Sequence, residues 1–381
     1  MTILSALAVS RAPVAAFVGV GLTWGCFAAM APVLKARVAV DDATFGLLLL
    51  GTAIGLATTL WAAPRWDRGL GARAMPAGTA LLACALLLPA AAGSIGTLFA
   101  ALAVMGAMSG LTDVVMNARV SEIEMRERRS LMNVAHAMFS VAYAVSALLT
   151  GAMREAGWPP EAIFPATALL VLATAPFQRM RVAPPPEASE ARPSRLPLAL
   201  VGVCGCIVLI AFMSEATVES WSALHVERTL GGGAAQGAFG PAMLGLTMAV
   251  GRFSGQAVAA RLAEVAVIRV AVGLAIAGVL TAAAAPSPAA AYVGFGLMGL
   301  GISVIGPMGL ALAGRLAPAD RRTAVIARVA VIGFLGFFLA PALMGLASEA
   351  FGLRWAFACV AVLLAALWPL SYCAREAPTR P

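Results

Sequence analysis

About a dozen long apolar stretches, separated by short polar gaps, run through this 381-residue sequence. Arginine and lysine are concentrated in every second gap and are nearly missing from the gaps between. An apolar stretch of about 20 residues spans the hydrocarbon core of a bilayer as a helix, and positive loops mark the cytoplasmic side. The pattern predicts a polytopic helical membrane protein. It excludes an ordinary soluble domain, since 61% of the residues are hydrophobic and 12% are charged.

Twelve spans can be drawn along the sequence, and an even number places both termini on one side. With this assignment 21 of the 26 basic residues fall on the side of the termini. The bias predicts a bacterial-type inner-membrane protein whose N- and C-termini are cytoplasmic. The predicted spans are 14–34, 44–64, 74–92, 96–118, 133–153, 162–177, 198–220, 237–254, 265–285, 289–314, 323–347 and 353–372. The five basic residues on the opposite side are Lys35, Arg37, Arg154, Arg228 and Arg354.

The longest polar stretch lies at 179–197 and is rich in proline. Such a composition predicts an extended, solvated linker, here on the cytoplasmic side. The linker divides the chain into an N-terminal half at 1–178 and a C-terminal half at 198–381, each with six predicted spans. The expected fold is therefore all-α, with twelve transmembrane helices in two six-helix halves.

The gap between the second and third spans resembles the loop signature G-x-x-x-D-R-x-G-x-R of the major facilitator superfamily. The matching residues are Asp67, Arg68, Gly71 and Arg73, with one residue inserted before Gly71 and Ala63 in place of the first glycine. The resemblance implies that these four residues form a short loop that acts as a conformational latch. It also implies the two-half transporter fold of this superfamily.

A second resemblance covers most of the chain and is to the fucose-permease-like branch of bacterial inner-membrane permeases. It implies a transporter and not an enzyme. The residues that carry it are 112–117, Glu122, 136–140, Glu215, 221–224, 251–252 and 333–336.

Ionisable groups inside a membrane are costly, so each is a candidate for function. The fourth span carries Asp113 and Asn117, and the fifth carries His136 and Ser140. Each pair is spaced i,i+4 and shares one helix face. Since burial favours the neutral form of a carboxyl group, Asp113 is predicted to accept a proton. Asn117 and His136 would bind the solute or relay the proton, supported by Ser140.

Two interpretations of Asp113 are open. The carboxylate either binds a proton or the solute, or it pairs with Arg68, Arg73 or Arg119 as part of the latch. His136 likewise has two interpretations, as a proton carrier or as a hydrogen-bonded packing residue.

The seventh span ends with Glu215, Glu219 and Trp221. The two carboxylates share a face and are candidates for solute binding or proton coupling. Trp221 is interpreted either as a stacking wall for a sugar-like or aromatic ring, or as an interfacial belt residue.

Trp24 in the first span is a candidate cavity residue or a core residue. Arg252 is placed near a cytoplasmic helix end, and a membrane centre without basic residues argues against a strongly anionic solute.

These features predict a secondary active transporter that works by alternating access and is coupled to protons. The expected solute is small, polar, and neutral or weakly cationic, with sugars among the candidates. The alternatives are a metabolite or drug exporter and, in another class, a transporter-like receptor or lipid-handling protein.

The sequence has no phosphate-binding loop or metal-ligand motif, so neither a cofactor nor a metal is expected. The expected partners are the solute, protons and lipids; the net charge of +8 is spread over short loops and does not indicate nucleic acid. The chain is expected to be a monomer.

Overall fold

The computed structural model describes residues 3–180, 197–259, 262–318 and 321–373, and every regular element within these ranges is helical. Most of the predicted linker, residues 181–196, lies outside the described residues. The helices before it are α1 Ile3–Val9, α2 Arg11–Val38, α3 Asp42–Leu70, α4 Ala74–Ala85, α5 Leu88–Ala91, α6 Ile95–Glu127, α7 Met132–Glu155 and α8 Pro160–Thr174. The helices after it are α9 Leu198–Leu224, α10 Ala234–Ala259, α11 Glu264–Ala284, α12 Pro288–Leu316, α13 Arg322–Phe351, α14 Leu353–Ala365 and α15 Leu367–Cys373.

Eleven helical segments in the described ranges are long and apolar enough to cross a membrane. They correspond to eleven of the predicted spans, and α10, which packs between α7 and α12, lies at the remaining one. The all-α membrane fold is therefore confirmed. The count of twelve is approximate, because α10 is not among the eleven segments.

Short connections make successive long helices antiparallel, so the bundle has two ends. We call the end that holds the start of α2 and the end of α15 the terminal side, and the opposite end the far side. The far side contains the α2–α3 connection at Ala39–Asp41, the segment between α9 and α10, and the α13–α14 junction at Gly352.

The helices before and after the linker meet along α2, α3 and α7 on one side and α9, α10 and α13 on the other. Glycines permit the closest approach, near the far side. A methyl group on Gly46 would lie 2.5 Å from the Pro341 carbonyl oxygen, and one on Gly345 would lie 2.4 Å from the Asp42 carbonyl oxygen. The backbones of α3 and α13 are therefore in direct contact there.

The segment that resembles the latch signature is not a short loop. Asp67 and Arg68 lie in the last turns of α3, which continues to Leu70. The turn comes at Gly71, whose φ of +52° lies in the left-handed region that favours glycine. A single helical turn, Gly71–Arg73, then leads into α4. The expected loop is wrong for Asp67 and Arg68, because no residue before Gly71 breaks the helical backbone.

Candidate functional site

A polar stripe runs along α6, where Ser109, Asp113 and Asn117 are spaced four residues apart. The Trp24 indole Nε1 of α2 donates to the Ser109 hydroxyl at 2.9 Å. The Asn117 amide Nδ2 donates to the carbonyl oxygen of Asp113 at 2.9 Å and to its carboxylate Oδ1 at 3.1 Å. Among the described residues Asp113 forms no ion pair, so its carboxylate is held by Asn117 alone.

The α7 residues lie against α2. The His136 ring packs edge-on against Phe17, with 4.8 Å between the ring centroids. One turn later, the Ser140 hydroxyl donates to the His136 carbonyl oxygen at 3.1 Å. The faces of α6 and α7 that carry Asp113 and His136 therefore both contact α2. No hydrogen bond joins these two residues in the described part of the chain.

Arg252 of α10 links three helices in the buried interior. One guanidinium nitrogen donates to the Ser140 hydroxyl and, at 3.5 Å, to the His136 carbonyl oxygen. The other donates to the Glu215 carboxylate of α9 at 3.0 Å. The side chains of Arg252 and Glu215 are 11% and 8% exposed. A single guanidinium thus binds a carboxylate of its own half and polar atoms of the other half.

Glu219 lies one helical turn beyond Glu215 and is partly buried. Tyr143 belongs to α7. Tyr143 is 2% exposed, and its hydroxyl has no hydrogen-bond partner among the described residues. The Tyr143 ring stacks with Phe139, with 6.1 Å between the centroids and 27° between the planes.

Trp221 is fully buried and packs edge-on against Phe45 of α3, with 5.9 Å between the ring centroids. The interpretation as an interfacial belt residue is therefore wrong, because the ring is fully buried against a helix of the other half. Its indole Nε1 has no hydrogen-bond partner in the described structure.

On the far side, Asp42 forms an ion pair between the halves. Its carboxylate accepts from the guanidinium of Arg228, with the first contact at 2.6 Å, and from the hydroxyl of Ser348. Lys35 adds a 3.0 Å ion pair from within the N-terminal half. The Asp42 backbone N–H donates to the Glu349 carboxylate at 3.0 Å. The Asp42 side chain is 4% exposed, whereas that of Arg228 is 44% exposed. The carboxylate is therefore buried where α3 meets α13, and its arginine partner reaches the surface.

A second far-side ion pair lies between Arg154 at the end of α7 and Glu227. The guanidinium contacts both carboxylate oxygens, at 2.7 and 2.8 Å, and also donates to the Ala29 carbonyl oxygen at 2.6 Å. Glu227 and Arg228 both belong to a single π-helical turn, His225–Thr229, that follows α9. One short segment thus provides both far-side ion pairs between the halves.

At the terminal side, the Asp67 carboxylate pairs with Arg119 of α6, which also pairs with Glu122. The Arg119 side chain is 2% exposed. Among the described residues, Arg68 donates only to the Pro64 carbonyl oxygen of its own helix, at 3.2 Å. Arg73 is exposed. Since Arg119 is already bound to two carboxylates, it does not pair with Asp113 in this conformation.

The described residues contain no group of three or more His, Cys, Asp or Glu side chains arranged to hold a metal ion. The family model of the Major Facilitator Superfamily matches residues 14–296 and 204–381, which together cover nearly the whole chain. The chain belongs to the Major Facilitator Superfamily. Because this family consists of transporters, the protein is a membrane transporter and not an enzyme, as predicted.

Similar proteins agree with this assignment. The transporter is 30% identical over 352 residues to an uncharacterized MFS-type transporter of Yersinia pestis, covering 92% of this chain and 91% of the relative. It is 27% identical to the membrane protein MosC of Rhizobium meliloti, covering 87% and 82% of the two chains. The narrower resemblance to the fucose-permease-like branch stays a prediction.

Solved structures share the fold. A bacterial homologue of the human lysosomal transporter Spinster, in an inward-facing and occupied conformation, matches with a TM-score of 0.79 at 15% identity over 97% of each chain. A D-xylose–proton symporter matches with a TM-score of 0.72 at 14% identity, covering 97% of this chain and 99% of that one. At such identities the likeness concerns the fold alone.

The structure gathers most of the predicted site residues of the transporter around α2. Trp24 and the stripe of Asp113 and Asn117 lie on the α6 side. The others form a second group, in which Arg252 connects His136, Ser140 and Glu215, with Glu219 one turn away. The predicted latch residues lie apart from both groups, at the terminal-side ends of α3 and α4.

Arg252 lies seven residues before the terminal-side end of α10, near the helix end where it was placed from the sequence. Its side chain is nevertheless largely buried and reaches Glu215 and Ser140. These contacts across three helices were not predicted from the sequence. A signal was available, because a buried carboxylate such as Glu215 needs a partner.

Proposed function

We propose that the transporter is a proton-coupled secondary active transporter of a small polar solute, neutral or weakly cationic, with both termini in the cytoplasm of a bacterial-type cell. The observation that carries the proposal is the bridge made by Arg252. It joins a buried carboxylate of one half to polar atoms of the other, at the interface where such transporters bind their solutes. A proton or solute that changes this bridge also changes the contact between the halves.

The surroundings of Asp113 favour its role as a proton acceptor over its role in the latch. Arg119 is engaged by Asp67 and Glu122, and Arg68 bonds its own helix. Asp113 therefore has no cationic partner among the described residues. Its side chain is half-buried, and a carboxyl group that is withdrawn from water without such a partner is most easily accommodated in its protonated form. Asn117 can accept or donate a hydrogen bond in either protonation state, since its amide has both groups.

The positions of the ion pairs between the halves support alternating access and indicate which side of the transporter is closed. Both ion pairs that join the halves in the described structure, Asp42 with Arg228 and Arg154 with Glu227, lie on the far side. The terminal-side ion pairs of Asp67 with Arg119 and of Arg315 with Glu264 each stay within one half. We therefore propose that the conformation is closed on the far side.

The solved neighbours are compatible with such a solute. They include a protein described as a D-xylose–proton symporter and one described as the nucleoside transporter NupG, both with a TM-score of 0.72. The shared fold therefore accommodates polar, uncharged solutes and coupling to protons. Import is the direction that we favour.

Purified transporter in liposomes, loaded with a pH-sensitive dye, provides the test. A panel of sugars, nucleosides, amino acids and amines is added outside, and a solute that drives a change of internal pH is the expected result. Asp113→Asn should abolish this change while solute binding persists. Glu161→Gln, which alters an exposed carboxylate paired with Arg37, is the matched control and should behave as the parent protein.

Four outcomes would overturn parts of the proposal. Solute-driven proton movement that survives in Asp113→Asn removes Asp113 as the coupling residue. A defect of the same kind in Arg68→Ala or Arg73→Ala would instead favour the latch. Flux that occurs only when the proton gradient is reversed identifies an exporter. No flux for any solute would favour a receptor or a lipid-handling protein.

A further inference from the structure

Arg269 of α11 is a positive charge near the terminal-side ends of the helices. It lies five residues after the start of α11 at Glu264, which is about 7.5 Å along the helix axis. Glu264 is paired with Arg315, at 3.1 Å. Arg269 itself forms no ion pair with any described residue. Its charge is therefore not compensated by a carboxylate within the described part of the protein.

Three residues of α15 hold Arg269 in place. The Arg269 Nε donates to the Ser371 hydroxyl at 3.0 Å. The Tyr372 ring covers the guanidinium, with 3.6 Å from the Arg269 Cζ to the ring centroid. The Trp368 indole Nε1 donates to the backbone carbonyl oxygen of Arg269 at 3.4 Å. The three residues are spaced i, i+3 and i+4, so one face of α15 packs against Arg269.

Two of the three guanidinium nitrogens of Arg269 have no hydrogen-bond partner among the described residues. Nη2 is buried and unpartnered. Nη1 makes no hydrogen bond to the described residues either, but it is not enclosed by the protein. Buried donors are normally hydrogen-bonded. Water would satisfy these donors but would not compensate the charge, so a guanidinium fixed in this way indicates an anion as the partner.

The surroundings of Arg269 identify the kind of anion. The adjacent Val270 is exposed, as are Trp368 and Tyr372. Exposed apolar side chains next to tryptophan and tyrosine at helix ends are typical of the membrane–water interface. The anions of that region are the phosphates of lipid headgroups, and arginine binds a phosphate through two parallel N–H···O bonds. Basic pockets between transmembrane helices bind acidic headgroups in the same way.

We propose that α11 and α15 bind the headgroup of an anionic phospholipid in the leaflet of the terminal side, with Arg269 as the phosphate-binding residue. One phosphate oxygen accepts from Nη1, and a second accepts from Nη2 when the exposed Tyr372 ring turns aside. A zwitterionic headgroup binds less tightly, because Arg269 repels the cation next to its phosphate. The acyl chains lie along the exposed surface at Val270. The lipid is a bound partner and not the transported solute.

Lipids that differ in headgroup charge provide the test. The full chain is purified in detergent and titrated with dioleoyl phosphatidylglycerol or dioleoyl phosphatidylcholine, which have the same acyl chains. Binding is measured by the rise of the melting temperature with lipid concentration and by native mass spectrometry. Phosphatidylglycerol should bind about tenfold more tightly than phosphatidylcholine. Glycerol 3-phosphate, which has the phosphate without acyl chains, should not change the melting temperature.

Variants assign the effect to the site. Arg269→Gln should weaken phosphatidylglycerol binding by about tenfold, because the charge and the paired donors are lost. Arg269→Lys retains the charge without the planar fork. It should weaken binding by about threefold and keeps the test valid if Arg269→Gln does not fold. Arg126→Gln removes an exposed terminal-side arginine that is paired with Glu127; it is the matched control and should retain the preference.

The proposal is overturned if neither lipid binds, if phosphatidylcholine binds as tightly as phosphatidylglycerol, or if either Arg269 variant keeps the full preference. An equal loss in Arg126→Gln would also overturn it, because lipid would then respond to the overall positive charge. Binding of glycerol 3-phosphate as tight as that of the lipid would identify a site for a free phosphate compound instead. Solute flux is measured separately, so these outcomes do not depend on the proposed transport function.

Discussion

Arg252 carries a positive charge into an apolar bundle, and its partners determine whether that charge is tolerated. With Glu215 it forms an ion pair in which both side chains are about nine-tenths buried. The attraction within such a pair offsets the loss of hydration only while both partners are present. The pair is therefore a weak point for stability if either residue is changed alone.

We expect Arg252→Gln and Glu215→Gln each to lower the stability of the transporter by about 3–5 kcal/mol, since each leaves one buried charge uncompensated. The double variant should recover part of this loss. Thermal unfolding of the detergent-purified proteins gives the three values. Arg315→Gln, which breaks an ion pair whose arginine is 54% exposed, should change stability by less than about 1 kcal/mol. Strictly additive losses in the double variant would contradict the coupling.

Gly25 shows how closely α2 and α7 approach beside the site. A methyl group at this position would lie 2.0 Å from the carbonyl oxygen of Tyr143, a backbone atom that cannot rotate away. Gly25→Ala should therefore push the two helices apart, destabilise the protein by about 1–3 kcal/mol and lower its melting temperature. Gly202→Ala is the matched control, because no atom lies within 4 Å of the added methyl group. Equal effects of the two variants would exclude a close helix contact at Gly25.

Individual side chains show which contacts can be predicted from the sequence and which cannot. The spacing of Asp113 and Asn117 predicts that they share a face, and their hydrogen bond agrees with it. The same spacing does not give the partner of Arg252, because its contacts with Ser140 and Glu215 join residues 112 and 37 positions apart. Contacts between helices depend on how the helices rotate and tilt, which periodicity along one helix does not specify.

The hydropathy pattern does not predict the π-helical turn His225–Thr229. It holds Glu227 and Arg228 so that one pairs with Arg154 and the other with Asp42. Wide turns of this kind are frequent at functional sites. Both far-side ion pairs break if this turn moves away from the N-terminal half, so the turn is the element through which we expect the far side to open.

Breaking one of these pairs should loosen the far side selectively. In Arg154→Ala, backbone amides at 225–232 and at the start of α3 should exchange with deuterium about tenfold faster, because charge-assisted hydrogen bonds are lost. The measurement is hydrogen–deuterium exchange with mass spectrometry. The charge-exchanged variant Arg154→Glu with Glu227→Arg should restore part of the protection. Arg126→Ala, which removes an exposed pair with the adjacent Glu127, should leave these amides unchanged.

The charge asymmetry of the whole molecule makes a prediction about its orientation. With 21 of 26 basic residues on the terminal side, both termini should be cytoplasmic. A green fluorescent protein fused after residue 381 should fluoresce, and alkaline phosphatase fused there should be inactive. The same fusions in the α13–α14 junction at Gly352 should give the opposite pattern. Active phosphatase at the C-terminus would overturn the assigned orientation.

The five basic residues on the far side are all bound to partners in the folded molecule. Each is held by an ion pair or by hydrogen bonds to carbonyl oxygens on the far side. Two of them form the ion pairs between the halves, and the others bind within their own half. The residues are Lys35, Arg37, Arg154, Arg228 and Arg354. Two of the charges that weaken the topology signal, Arg154 and Arg228, are therefore those that join the halves on the far side.

Hydropathy and charge along the chain were sufficient for the membrane class, the helical fold, the approximate span count and the expected orientation, because each follows from transferring a local segment into lipid. The Arg252 bridge, the burial of Trp221, the π-helical turn and the closed far side required the folded arrangement. These features depend on which faces of distant helices meet, and lipid solvation is similar for every apolar face. Packing and the pairing of buried charges select among those faces, and both are properties of the assembled bundle.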